Sequence, residues 1–157
     1  MPTPQKEFKE LFTSLNARGV EYLVVGAYAM AFHGVPRFTG DVDVLVRPTN
    51  ENAKRLLTAL DDFGFGSLGL KEADFCEPDQ VVQLGVAPLR VDILTSITGV
   101  SWEQADRNKG KTTYGGVPVP FIGINEIIAN KRAVGRTKDM ADIELLESVQ
   151  QKAQPKK

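Results

Sequence analysis

Val25-Gly26-Ala27, followed after Tyr28 to Gly40 by Asp41-Val42-Asp43-Val44, is the stretch on which the reading of this chain turns. From Asp41 to Arg47 charged and apolar residues alternate, the period of a β-strand with one buried face. Successive side chains on a strand point to opposite faces, so Asp41 and Asp43 project together while Val42, Val44 and Val46 point the other way. Cα atoms at i and i+2 lie about 6.5–7 Å apart, close enough for both carboxylates to converge on one cation. Side by side they repel, and a positive group between them relieves the cost. Mg²⁺ is the natural candidate, because it takes oxygen ligands and keeps waters alongside substrate phosphates. A solvent-facing strand edge that carries two acids satisfies the same pattern.

A third acid, Asp92, lies in Leu89-Arg90-Val91-Asp92-Ile93-Leu94, which reads as another strand of the same sheet. A charge among apolar neighbours needs a partner if it is buried. Arg90 supplies one as a plain ion pair. A metal site shared with Asp41 and Asp43 supplies the other, with Asp92 holding one ion and taking the proton from an incoming hydroxyl. Upstream, Val25-Gly26-Ala27 reads as a strand entering a helix through small residues, which leaves backbone N–H groups aimed at an anion. Such a turn is too common to carry that meaning alone. The acids that follow it are what give it weight.

Outward from this centre the elements are regular. Phe8, Leu11, Phe12 and Leu15 fall at i, i+3, i+4 and i+7 and predict an amphipathic helix ended by Asn16 to Gly19. Tyr22 to Val25 predicts a buried strand and Ala27 to Phe32 a short helix. Pro48-Thr49-Asn50 opens a helix carrying Ala53, Leu56, Leu57 and Leu60. Gly64 to Gly69 is turn material, and Val81 to Val86 with Leu89 to Leu94 form a hairpin around Ala87-Pro88. After a short helix over Ser101 to Arg107, Thr112 to Tyr114 and Val117 to Pro120 flank the hairpin turn Gly115-Gly116. Ile124 to Val134 and Thr137 to Val149 predict two helices broken at Gly135. This places one domain over 1–149 and a polar, frayed tail over 150–157.

A chain of 157 residues is one domain's worth, and 42% hydrophobic with 25% charged residues is ordinary for a globular protein. Nineteen basic against 20 acidic residues give a net charge of -1, which argues against a broad basic coat for nucleic acid. Cys76 is the only cysteine and His33 the only histidine, so an intrachain disulfide and multi-cysteine or multi-histidine metal sites are excluded. No stretch approaches the roughly 20 apolar residues of a membrane span. The N-terminal segment lacks the apolar run of a signal peptide, so a cytoplasmic location with no membrane partner is expected.

Hydrophobic-Gly-small, a spacer and then Asp-h-Asp-h resembles the signature of the nucleotidyltransferase superfamily, whose fold is shared with DNA polymerase beta. His33-Gly34-Val35-Pro36-Arg37-Phe38-Thr39-Gly40 is similar to the H-G-x-x-R-x-T segment of a prokaryotic subgroup that includes the AbiEii-type toxins. Lys131-Arg132-Ala133-Val134-Gly135-Arg136-Thr137-Lys138-Asp139-Met140-Ala141-Asp142 resembles the same subgroup's K-x-x-x-G-R-x-K-D-x-x-D element. With Asp92 between them, the matching positions span Leu23 to Leu146. Ala27 departs from the pattern. It stands where the family usually has Gly or Ser, and lacks a hydroxyl that can bond phosphate.

The resemblance implies an α/β (α+β) nucleotidyltransferase fold, with a mixed sheet and helices packed mainly on one side. It also implies transfer of a nucleoside monophosphate from an NTP. Asp41 and Asp43 would hold one or two Mg²⁺ ions, and Asp92 would complete the second metal site and activate the acceptor hydroxyl. Gly26 and Ala27 would present amides to the triphosphate. Apart from the resemblance, Lys131 and Lys138 in the C-terminal helices read as cationic ligands of the triphosphate, and Arg37 reads either as a guide for the loop or a phosphate or as a partner of Asp41 or Asp43 that holds the strand. The acceptor is left open among a tRNA end, a protein hydroxyl and a small molecule. A toxin role with an antitoxin partner fits the subgroup. A non-catalytic nucleotide-binding or partner-binding module with the same fold is the alternative.

Overall fold

The computed structural model describes residues 4–36, 39–86 and 89–153. Helix α1 (Lys6–Ala17) buries Phe8, Leu11, Phe12 and Leu15, each no more than 1% exposed, as their spacing requires. Strand β1 (Tyr22–Val25) is buried throughout and runs straight into α2 (Gly26–Phe32). Strand β2 (Asp41–Val46) is followed by α3 (Asn50–Leu60), whose first turn is capped by the Thr49 hydroxyl accepting from the Asn52 N–H at 3.2 Å.

Short irregular turns over Asp61–Phe65, Gly66–Leu68 and Glu72–Asp74 then lead to a hairpin of β3 (Val81–Val86) and β4 (Leu89–Leu94). A one-and-a-half-turn helix α4 (Trp102–Arg107) precedes the second hairpin, β5 (Gly110–Tyr114) with β6 (Val117–Phe121). Gly115 and Gly116 both have positive φ, which is what a tight two-residue turn there demands. Helices α5 (Ile124–Val134) and α6 (Thr137–Ala153) close the chain. The left-handed Gly135 separates them, and α6 continues past the Val149 at which the sequence pattern ended it.

All six strands form one mixed sheet in the order β3-β4-β2-β1-β6-β5. The β2–β4 and β1–β6 pairs are parallel and the other three are antiparallel. This is the mixed α/β architecture expected from the sequence. On one face, Val42, Val44 and Val46 lie at 0–1% exposure, in line with Val24 and Tyr22 of β1. There Phe12 of α1 stacks on Tyr22 with ring centroids 6.3 Å apart, and α3 packs beside α1. Each buried valine contributes on the order of 1.5 kcal/mol or more by leaving water. The opposite face of the same strands carries the acids.

Candidate functional site

Asp41 and Asp43 leave β2 on the face opposite the valines, as their spacing dictates. Beside it, β4 runs parallel in the register Asp41↔Arg90 and Asp43↔Asp92. Since Arg90 and Asp92 are also two apart, all four side chains share one face in two rungs. Neighbouring strands lie about 4.8 Å apart, so the inner rung sets two carboxylates shoulder to shoulder. Burial raises the Asp43 carboxyl, and the charges of Asp92 and Asp41 add to the effect, bringing its pKa to about 6.

The outer rung is an ion pair. Arg90 Nη2 donates to Asp41 Oδ2 at 2.8 Å and reaches Asp92 Oδ2 at 3.5 Å. Arg90 Nε lies 3.2 Å from Asp92 Oδ1, close enough for electrostatic attraction. Its N–H is not aimed at that oxygen, and both atoms are buried without a hydrogen-bond partner. Of the two readings the sequence left open for Asp92, the structure shows the ion pair with Arg90, and it also leaves one carboxylate oxygen without a hydrogen bond.

Gly26 explains why a small residue follows β1. Its φ is +67°, and a Cβ built there would overlap Asp43 Oδ2 while lying 3.0 Å from Asp43 Cγ. Any side chain at this bend would displace the acid. Gly26 and Ala27 are the first two residues of α2. Thr39 accepts the Asp41 backbone N–H at 3.1 Å and fixes the entry to β2. His33 Nε2 sits 2.8 Å from the Ile122 carbonyl and its ring packs on Phe121, a structural role.

A cavity of about 270 Å³ opens over the inner rung, with Gly26, Asp43, Asp92, Asn130, Lys131 and Arg136 among its walls. Lys131, on α5, thus lines the same cavity as the acids, while its Nζ lies 2.9 Å from Asp142 Oδ2 and 3.6 Å from Asp139 Oδ1. The packing of α6 on α5 brings Lys131 to Asp142 across the helix pair. Asp139, fully buried, accepts from the Arg136 backbone at 3.1 Å and from its guanidinium at 2.8 and 3.2 Å. Those bonds from Arg136 hold the Asp139 carboxyl down at about 2. Arg136 and Asn130 were not foreseen as cavity residues. The i, i+3 spacing of Arg136 and Asp139 was the available signal for the first.

Lys138 is exposed and does not line this cavity. Arg37 lies outside the described residues. Among the described residues, no three His, Cys, Asp or Glu side chains are grouped so as to hold a metal ion. The expected trio is divided, with Asp43 beside Asp92 and Asp41 turned to Arg90. The donor chemistry of the inner rung still suits a divalent cation. Two carboxylates adjoin, one is reluctant to ionise, and one buried oxygen has no hydrogen bond.

No family model matches the sequence, and no curated protein matches it. Solved structures do match. The nucleotidyltransferase candidate TM1012 from Thermotoga maritima superposes with a TM-score of 0.55 at 13% identity, over 92% of this chain and 88% of that one. The lincosamide antibiotic adenylyltransferase LnuA, solved with lincomycin bound, gives 0.54 at 13% identity, over 95% and 99%. An antigenic nucleotidyltransferase-like protein from Paracoccidioides brasiliensis gives 0.54 at 19% identity, over 100% and 81%. At such identities the likeness establishes the fold. The chain has the nucleotidyltransferase fold.

Proposed function

We propose that this chain moves a nucleoside monophosphate from a nucleoside triphosphate to a hydroxyl acceptor. The observation that carries the reading is the in-register pair Asp43–Asp92 against the bare Gly26, in a cavity that Lys131 and Arg136 also line. Mg²⁺ held by Asp43 and Asp92, with Asp41 as a further ligand, would supply neutralisation of the triphosphate and orient its α-phosphorus. Lys131 and Arg136, which line the same cavity, bind the β- and γ-phosphates. The Oδ1 of Asp92, which accepts no hydrogen bond, accepts the proton of the acceptor hydroxyl as its oxygen bonds to the α-phosphorus. The bond from the α-phosphorus to the bridging oxygen breaks, and pyrophosphate leaves. Such catalysis is mainly positioning and charge neutralisation, and it needs no covalent nucleophile.

A net charge of -1 supports a small molecule or a protein hydroxyl as acceptor over an extended nucleic acid. The His33–Gly40 and Lys131–Asp142 segments support a narrower role, as the toxin of a toxin–antitoxin pair in the cytoplasm. Arrested growth on induction, relieved by the neighbouring gene product, is the expected result for that role. Transfer of label from an α-³²P-NTP with Mg²⁺ into a cell extract, lost in Asp43→Ala, tests the enzyme reading. Absence of Mg²⁺-dependent NTP binding at millimolar ligand retires it.

Arg90 favours a second reading, because it already compensates Asp41 and Asp92. A non-catalytic module with this site binds NTP in calorimetry and transfers no label.

A further inference from the structure

Arg90 does more than satisfy a strand charge. Register places it opposite Asp41 and two residues from Asp92, so its planar guanidinium lies within the acid cluster rather than beside it. It bonds Asp41 Oδ2 at 2.8 Å while its Nε remains unbonded 3.2 Å from Asp92 Oδ1. The grip on Asp41 is well formed and the grip on Asp92 is not. The Arg90 side chain is also 38% exposed, so it has a way out toward the solvent side.

We propose that Arg90 is a positioning residue that stands in for a cation in the unliganded site, withholding Asp41 from a divalent ion until a nucleotide arrives. The inference rests on the reading that these acids bind a divalent cation. A dication among Asp41, Asp43 and Asp92 repels the guanidinium and must compete with it for Asp41. An incoming triphosphate offers Arg90 other oxygens, and fork-shaped guanidinium groups bind phosphate well. Release of Asp41 and entry of the nucleotide are therefore one event. The metal alone binds weakly, and metal with nucleotide binds far more tightly.

The test is titration of the intact protein with Mn²⁺ alone, followed by spin resonance of the free ion, then repeated with a non-hydrolysable triphosphate. Wild type is expected to bind Mn²⁺ at least tenfold more weakly than Arg90→Gln when nucleotide is absent. The gain from adding nucleotide should shrink in that variant. Arg90→Lys should fall between them, since a compact ammonium cannot hold Asp41 and approach Asp92 at once. Melting curves with and without Mn²⁺ guard against misfolding, and the larger Mn²⁺-induced shift should belong to Arg90→Gln. Equal or weaker Mn²⁺ binding in Arg90→Gln overturns the inference and leaves the cation site standing. No Mn²⁺ binding in any of the three proteins overturns the reading beneath it, and the inference with it.

Discussion

The two faces of β2 carry opposite physical assignments in the same six residues. Val42, Val44 and Val46 are sealed against the helical layer of α1 and α3 and contribute stability by leaving water. Asp41 and Asp43, between them in sequence, face Arg90 and Asp92 and carry charge that the fold must tolerate. A strand with only the first face would be more stable and chemically inert. Alternation lets one short segment anchor the sheet and present acids a few ångströms from that anchor, so the site inherits the rigidity of the core.

Exchanging the assignments breaks the contrast most severely. Val44→Asp places a carboxylate at a position 1% exposed with no partner, and more than about 4 kcal/mol of stability should be lost. That is a large part of the ~5–15 kcal/mol holding a domain together, so insoluble or unfolded protein is expected in circular dichroism and urea melts. Gly26→Ala comes next. Positive φ costs a non-glycine residue about 1–2 kcal/mol, and the new methyl evicts the Asp43 carboxylate. Transfer activity should fall at least a hundredfold, with a melt lowered far less than in Val44→Asp. Near-normal activity in this variant would show that the position of Asp43 is not what the cavity is built around.

Asp43→Asn tests the same face in the opposite direction. The Asp43 carboxyl titrates near 6 in the folded chain against about 3.8 unfolded, so the folded state holds its proton more tightly. Below about pH 4 both states are protonated and the group is neutral toward stability. Between pH 4 and 6 the unfolded chain ionises first, and folding stability falls as pH rises, levelling off above pH 6. With chelator present, Asp43→Asn should therefore be more stable than wild type at pH 8, by up to about 3 kcal/mol, and the gain should vanish near pH 4. Loss of transfer together with this gain in stability marks an acid retained for chemistry. A variant less stable than wild type at pH 8 would mean that Asp43 is a structural partner.

How far the sequence reveals this depends on distance along the chain. Alternation within Asp41–Val46 shows which residues share a face, because a strand's period is local. The bend at Gly26, the Gly115-Gly116 hairpin and the faces of α1 and α3 are legible for the same reason. Period does not say which strand lies next to β2, nor at what offset, and a parallel neighbour is reached only through a long crossover. Asp92 was identifiable as an acid flanked by apolar residues, whereas its place beside Asp43, with Arg90 on Asp41, needed the register. The α5–α6 contacts were hidden likewise. Lys131 reaches Asp142 across a helix pair, and Asp139 is buried against Arg136.

Lys131 and Lys138 give the finest test of the difference between cavity and surface, since the sequence offered both as phosphate ligands. Lys131 is 17% exposed and lines the cavity together with Asp43 and Asp92, while Lys138 is exposed on α6 and does not. One charge-assisted hydrogen bond is worth about 1.5–3 kcal/mol, so Lys131→Ala should weaken Mg²⁺-NTP binding about tenfold or more in calorimetry. Its melt should also drop, because Asp139 and Asp142 lose a cation. Lys138→Ala should change affinity less than about twofold, as expected of a solvated charge. Should Lys138 prove the more important, the triphosphate would have to run over α6 instead of into the cavity, and the wall assigned here to Lys131 and Arg136 would be serving only to hold the two helices together.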